Sequence, residues 1–247
     1  TLFRSHPRIT ETAKRLWLIY FSLTITEFFL LKIAGMTWFD AINHAMSTLS
    51  TGGFSTKNAS VAHWNHMPMV QYIIIFFMFI AGTNFIVTYF AFKGKWRRVV
   101  NNEEFKWYFF GSLWLIVILT IIIINFQDPA LQTSIDHPKP YGEFESAIRH
   151  AAFQILAIFT TTGFVSADFT MWNSFATMFI FSLFFIGGSA GSTSGGVKIV
   201  RHITMIKSSI LEFKKLLHPS AIIPVRHGGK AIHQNIIFNI LSFFVLY

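Results

Sequence analysis

The sequence predicts an all-α membrane protein built from repeated units: transmembrane helix, short re-entrant pore helix, filter turn, transmembrane helix. Three observations predict it. The runs Met69 to Phe92, with 24 residues, and Tyr108 to Phe126 contain no charged side chain, and a hydrocarbon core of about 30 Å needs about 20 apolar residues in a helix. The string Thr51-Gly52-Gly53-Phe54 recurs as Thr161-Thr162-Gly163-Phe164, each time after an apolar stretch too short to span. Most of the 20 Lys and Arg residues sit at three connections between apolar segments, and basic connections of this kind stay on the cytoplasmic side.

The elements follow in order. Leu16 to Ala34 reads as a span of marginal length; Lys32 near its end can snorkel to the interface, while Glu27 lies deeper and should face protein or water. Trp38 to Ser50 reads as re-entrant or interfacial. Thr51 to Ser55 breaks it, a polar linker with Lys57, Asn58 and His63 follows, and a full span is expected from Pro68 to Phe92. A short basic connection, Lys93 to Glu104, leads to the third span, which ends near Phe126. After a polar loop with Pro129, Pro138 and Pro140 come a second short stretch, Phe144 to Phe159, a second break at Thr160 to Phe164, and a fourth apolar segment from about Trp172.

The second half therefore repeats the first. Ala41-Ile42-Asn43-His44-Ala45 recurs as Ala147-Ile148-Arg149-His150-Ala151, and Trp64-Asn65 recurs as Trp172-Asn173. The second short helix is about one turn longer. Both units start and end on the basic side, which makes the repeat parallel and suits a pore on an axis normal to the membrane, whereas many secondary transporters use inverted repeats. The units are expected at residues 1–97 and 98–217, with 218–247 the start of a further one. The chain begins without Met and stops at Tyr247 inside the apolar run from Ile236, so it reads as an internal fragment.

Composition excludes several classes. With no cysteine, disulfides, zinc–thiolate sites and thiol catalysis are out. The net charge of +9 does not mark a nucleic-acid binder, because the aromatic residues lie in the apolar runs rather than on a basic face. An enzyme reading is poor: the histidines are scattered, and His63 and His66 lack an acidic companion for a metal. His44 and His150 are expected to be hydrogen-bonded packing residues. Asp40, Asp128, Asp136, Glu143, Glu145 and Asp168 fall on the side opposite the basic loops, where they would modestly raise the local cation concentration.

A cation crossing lipid must exchange its water for protein oxygens, and potassium channels do this with backbone carbonyls in four filter loops. Such backbone needs residues tolerant of unusual dihedrals, so glycine is expected at its centre. Irregular backbone at membrane depth is allowed only where it lines a cavity or is buried in protein. The two Thr-x-Gly-Phe turns meet these demands, and Thr51, Gly52, Gly53, Thr161, Thr162 and Gly163 are the expected potassium ligands, with Phe54 and Phe164 completing the turns. Each short helix would aim the negative end of its dipole at the turn. The plain alternative is a glycine C-cap on an interfacial helix.

The third feature is Gly187-Gly188-Ser189-Ala190-Gly191-Ser192-Thr193-Ser194-Gly195-Gly196, which interrupts an apolar helix, Ser174 to Ile186, too short to span alone. So many small residues do not hold a helix. A phosphate-binding loop would need a Gly-Lys-Ser/Thr ending and a preceding strand, and both are missing. A flexible linker is the plain reading; a mobile gate beneath the second turn is the sharper one, with Lys198 and Arg201 holding it from the cytoplasmic side.

Ser50-Thr51-Gly52-Gly53-Phe54-Ser55-Thr56, Thr161-Thr162-Gly163-Phe164 and Gly191-Ser192-Thr193-Ser194-Gly195-Gly196-Val197-Lys198 resemble the Trk/Ktr/HKT cation transporters, and His218-Pro219 through Ile223-Pro224-Val225 is similar to the TrkH branch. The resemblance implies four repeats around one pore, of which this chain would hold the second, the third and the start of the fourth. It implies filter glycines at Gly53 and Gly163, an intramembrane gating loop at Gly187 to Gly196, potassium as the transported ion and no cofactor in this chain. It also implies a homodimer in the cytoplasmic (inner) membrane, in contact with lipid and regulated by a cytosolic nucleotide-binding subunit of the TrkA type. In each turn the filter glycine is followed by Phe and then by Ser55 or Val165, a departure from the full Thr-Val-Gly-Tyr-Gly, so only moderate selectivity over sodium is expected. A sodium or non-selective transporter of the same architecture, or a non-conducting membrane scaffold, are the alternatives.

Overall fold

The first long helix, α1 (Pro7–Ile33), leaves the apolar side chains Trp17, Phe21, Phe29 and Ile33 on its outer face and buries Leu23, Glu27 and Leu31 on the other. In water the outer row would be costly; beside lipid tails it is the favourable arrangement. A computed structural model describes residues 7–125, 144–217 and 224–246. Among the described residues, Ala13–Ile33 and Glu103–Asn125 are helices long and apolar enough to cross a bilayer.

The short helix α2 (Trp38–Leu49) starts where Thr37 accepts a hydrogen bond from the Asp40 N–H at 3.1 Å while its own hydroxyl donates to the Asp40 carboxylate at 2.7 Å, a reciprocal N-terminal cap. The linker after the first turn includes a 3₁₀ turn at Ser60–Trp64, and α3 (Pro68–Ala81) begins with proline in its first turn, where the missing N–H costs nothing.

The expected uninterrupted span from Pro68 to Phe92 does not form. The chain bends by 110° between α3 and α4 (Phe85–Phe92). Gly82 caps α3, and the Asn84 side chain accepts from the Ile86 N–H at 2.8 Å to start α4. Asparagine is among the preferred N-cap residues because its side-chain oxygen satisfies a free N–H there. The other main-chain groups freed at the corner find partners in a segment far along the chain, described below.

A short α5 (Trp96–Val100) leads to α6 (Glu103–Asn125), and then to the second short helix, α7 (Phe144–Phe159), the central pillar of the fold. Nearly every α7 side chain from Ser146 onward is buried, and its polar members Arg149, His150 and Gln154 are each hydrogen-bonded, as buried polar groups must be. At 16 residues against 12 for α2, α7 is one turn longer, as expected. Its Phe153, Leu156 and Ala157, with Phe164 beyond it, join Leu31, Met36, Ala45, Trp64, Ile74 and Met78 in one core. The two sequence repeats are thus fused through the second short helix. Ala41, Ala45, Ala147, Ala151 and Ala157 are fully buried or nearly so, and such small residues let backbones approach closely where no water drives association.

After a 3₁₀ turn at Phe169–Met171, α8 (Ser174–Ser182) is capped by Asn173 and tightens into 3₁₀ at Leu183–Phe185. The helical course resumes at α9 (Ile199–Leu217), then the hairpin β1 (Arg226–His227) and β2 (Lys230–Ala231), and finally α10 (Gln234–Leu246). The hairpin is antiparallel, with Arg226 opposite Ala231. The proline-bearing loop with Asp128, Asp136 and Glu143, and the segment His218 to Ile223, lie outside the described residues.

Candidate functional site

Both short helices end at a threonine with left-handed backbone, though the second closing bond comes one residue later after α7 than after α2. Beyond α2, the Thr51 N–H donates to Thr48 O at 3.0 Å and the Gly52 N–H to Ser47 O at 2.8 Å, the paired bonds of a Schellman cap. Beyond α7, the Thr161 N–H donates to Ile158 O and the Gly163 N–H to Ala157 O, both at 2.9 Å. An ordinary cap places glycine in the left-handed position. Here threonine occupies it, with φ of 52° at Thr51 and 55° at Thr161. A β-branched residue in that region is a genuine outlier, and residues held there cost on the order of 1–3 kcal/mol each. Gly53 and Gly163 follow with φ of 69° and 79°, so each turn reads left-handed Thr, one residue, left-handed Gly.

The two turns meet. A Cβ on Gly53 would overlap the Thr162 carbonyl oxygen, whereas nothing lies within 4 Å of the place a Cβ would take on Gly163. Phe164 is buried and stacks on His44, with ring centroids 5.6 Å apart, while Phe54 is 81% exposed. Behind the turns the outgoing strands are held by the helices. His44 Nε2 lies 2.9 Å from Ser55 Oγ and its Nδ1 2.8 Å from Asp40 O, and His150 Nδ1 lies 3.0 Å from Ser166 Oγ. The matched histidines are hydrogen-bonded packing groups, as expected. Ser47 Oγ accepts from the Phe54 N–H at 2.7 Å, and the first-repeat linker supports the second turn through Ala62 N–H to Val165 O and Asn65 to Ser166 O, both at 3.0 Å.

A buried polar chain reaches that support from outside. Arg149 is 5% exposed; it donates to Glu145 at 2.7 Å and to Gln71, which donates to Asn65. Arg149→Leu removes the central donor and leaves the Gln71 carbonyl buried without it, a cost of about 1–3 kcal/mol. Thermal unfolding in detergent is expected to show a lower melting temperature for Arg149→Leu, and an unchanged one would dismiss the chain as a structural support. Asp40, Glu145 and Asp168 all have local partners. Burial pushes the Asp40 carboxyl up, but the Thr56 and Thr37 hydroxyls and Lys57 outweigh it and hold the group below the usual carboxylate range. The Arg149 guanidinium does the same for Glu145. Both stay ionised at neutral pH, and their pairing blunts the field they lend to the outer side.

The glycine-rich segment sits against the turns and is not a free linker. At its neck the Gly187 N–H donates to Val197 O at 2.8 Å and the Ile199 N–H to Gly188 O at 3.2 Å. It fills the α3–α4 corner: Ser189 N–H donates to Gly82 O at 2.9 Å, Phe85 N–H to Gly191 O at 3.2 Å, and the Thr193 hydroxyl to Ala81 O at 3.2 Å. It also touches both turns. The Thr51 hydroxyl donates to Thr193 O at 3.0 Å, and the Gly195 N–H donates to the Thr161 hydroxyl at 2.5 Å. These bonds give a reason for threonine at the two strained positions, since glycine there would relieve the backbone and lose both contacts. Within the segment Ser192 bonds Ser189 O and Ser194, and Gly191 and Gly196 take φ of 72° and 66°.

Of the two cations expected to hold the segment, Lys198 does so: its ammonium contacts Ser194 O and lies 3.2 Å from Ser194 Oγ. Arg201 does not. One turn further along α9, its guanidinium lies 4.4 Å over the Phe243 ring of α10. Residues not singled out from the sequence also build the site, namely Gly82, Asn84 and Glu104, whose carboxylate accepts from the Ala190 N–H at 2.6 Å. The polar triplet Gly82-Thr83-Asn84 inside the apolar run was the available signal for the corner; Glu104 had none.

A family model described as TrkH, cation transport protein, matches residues 4–247. The chain belongs to the TrkH family. Among TrkH relatives, the Trk system potassium uptake protein TrkH of Salmonella typhimurium is 36% identical over 99% of this chain and 48% of its own length. The Trk system potassium uptake protein TrkG of Escherichia coli is 31% identical over 98% and 47%. The crystal structure of the potassium transporter TrkH from Vibrio parahaemolyticus superposes with a TM-score of 0.83 at 33% identity, covering 99% of this chain and 50% of that one. The chain thus spans about half the length of the TrkH proteins it matches.

Proposed function

We propose that the chain forms part of a potassium uptake pathway across the cytoplasmic membrane. In this reading the carbonyls of Thr51, Gly52, Gly53, Thr161, Thr162 and Gly163 replace water around the ion, and residues 187–196 close the path beneath them. One observation carries it: two turns of like backbone, strained at the same threonine, meet at Gly53 and Thr162 and are bridged by the glycine-rich segment through Thr51 and Thr161. The negative ends of the α2 and α7 dipoles face the turns, which favours a cation there. Residues 1–97 and 98–217 each act as one pore repeat, and 218–247 open another. The names of the relatives support potassium as the ion. Family membership supports a homodimer in the inner membrane with a cytosolic nucleotide-binding subunit.

The test is rubidium uptake by a bacterial strain lacking its own potassium transporters and expressing the full-length gene product. Uptake should rise well above the empty-vector control and fall with added potassium more than with equal sodium. A rate equal to the control would refute the reading, and stronger competition by sodium would reassign the ion.

A further inference from the structure

The first turn of α6 carries two adjacent carboxylates that serve different parts of the molecule. Glu104 is buried, at 6% exposure, and accepts from the Ala190 N–H at the tip of the glycine-rich segment, 86 positions away in sequence. Glu103 faces the cytoplasmic hairpin: it pairs with Lys207 of α9, accepts from the Gly228 N–H at 2.9 Å, and lies 3.8 Å from His227 Nδ1. Acidic residues at a helix N-terminus are ordinarily explained by the helix dipole. That explanation needs neither a buried carboxylate nor a main-chain donor 86 or 125 residues distant. Successive helical residues diverge by about 100°, so one turn of α6 presents one carboxylate to the hairpin and the other to the segment under the filter turns. Glu103 is also within reach of the cytosol, lining a cavity of about 770 Å³ with Lys95, Arg97, Arg98 and His227.

We infer that Glu103 and Glu104 link the cytoplasmic hairpin to the intramembrane segment in series, so that a displacement of the hairpin shifts α6 and loosens the hold on Ala190. This rests on the reading of residues 187–196 as a gate and adds the route by which the cytosolic side controls it. A coupling claim needs a coupling measurement, and a double-mutant cycle supplies it.

The chain has no cysteine, so Ser192→Cys in an otherwise cysteine-free full-length protein reports how far the segment is exposed, through its rate of modification by a charged thiol reagent. Glu104→Ala should raise that rate about tenfold, as expected for loss of a charge-assisted hydrogen bond. Glu104→Gln keeps an acceptor and should stay within about threefold. Glu103→Ala should raise the rate by about threefold, and the Glu103→Ala/Glu104→Ala pair by no more than Glu104→Ala alone, since links in series are not additive. Lys207→Gln cuts the hairpin arm from the other side and carries the expectation of Glu103→Ala should that variant not fold. Additive effects, or no change on cutting the hairpin arm by either route, overturn the link. Rubidium uptake on the same proteins separates the two readings: a parent without uptake refutes the gate, while the modification rates still decide the link.

Discussion

Gly53→Asp is expected to abolish rubidium uptake, and Gly53→Ala to reduce it nearly as far. The first reason is steric: a Cβ at residue 53 would overlap the Thr162 carbonyl oxygen, and φ there is 69°. Backbone of either turn must move, and a misplacement costing roughly 3 kcal/mol of ion coordination lowers the rate about 100-fold. Gly163 supplies the control. Its φ of 79° also disfavours a side chain, but nothing lies within 4 Å of its Cβ position. Gly163→Ala should therefore keep substantially more uptake than Gly53→Ala, whereas Gly163→Asp, which places a carboxylate in that open space, should lose it. Unchanged uptake in both aspartate variants would remove the turns from the ion path.

Gly188→Val is expected to act in the opposite direction. A Cβ on Gly188 would come within 2.5 Å of Ser194 Oγ and 2.8 Å of Gly82 O. The second contact is with backbone at the seat of the segment, next to the bond from the Ser189 N–H. A branched side chain there pushes the segment off its seat without itself touching either turn, although the bonds from the segment to Thr51 and Thr161 loosen with it. If the seated segment obstructs the path, uptake rises. Loss of one or two hydrogen bonds at about 1 kcal/mol each corresponds to an increase of about five- to thirtyfold. A fall in uptake with normal folding would mean that the segment supports conduction. The pair is diagnostic because two glycine substitutions in one small region are expected to differ in sign.

The parts of this architecture that depend on local pattern were legible in the sequence. The repeat, the extra turn of α7, the left-handed glycines and the break after Ile186 all leave marks in spacing or composition. The α3–α4 corner was not read, because a window across Met69 to Phe92 averages Gly82, Thr83 and Asn84 away among apolar neighbours. What makes the corner affordable lies about a hundred residues later, in the main-chain groups of Ser189 and Gly191. Arg201 went astray for a related reason: proximity in sequence to Lys198 suggested a shared role, but one helical turn carries it to the Phe243 ring. Glu104 was invisible because its partner is a backbone N–H, which no residue type announces.

The corner between α3 and α4 has a consequence for biogenesis. A nascent chain completes Ala81 to Phe85 well before Ser189 and Thr193, the donors to Gly82 O and Ala81 O, have been synthesised. In that interval the carbonyls of Ala81 and Gly82 lack their later donors, and in hydrocarbon an unbroken helix is the form that satisfies them. The straight rod suggested by hydropathy is thus the shape the segment should hold on first insertion. The bend is acquired afterwards, when the second half arrives to occupy it, which makes late synthesis a condition for the first repeat to reach its mature form.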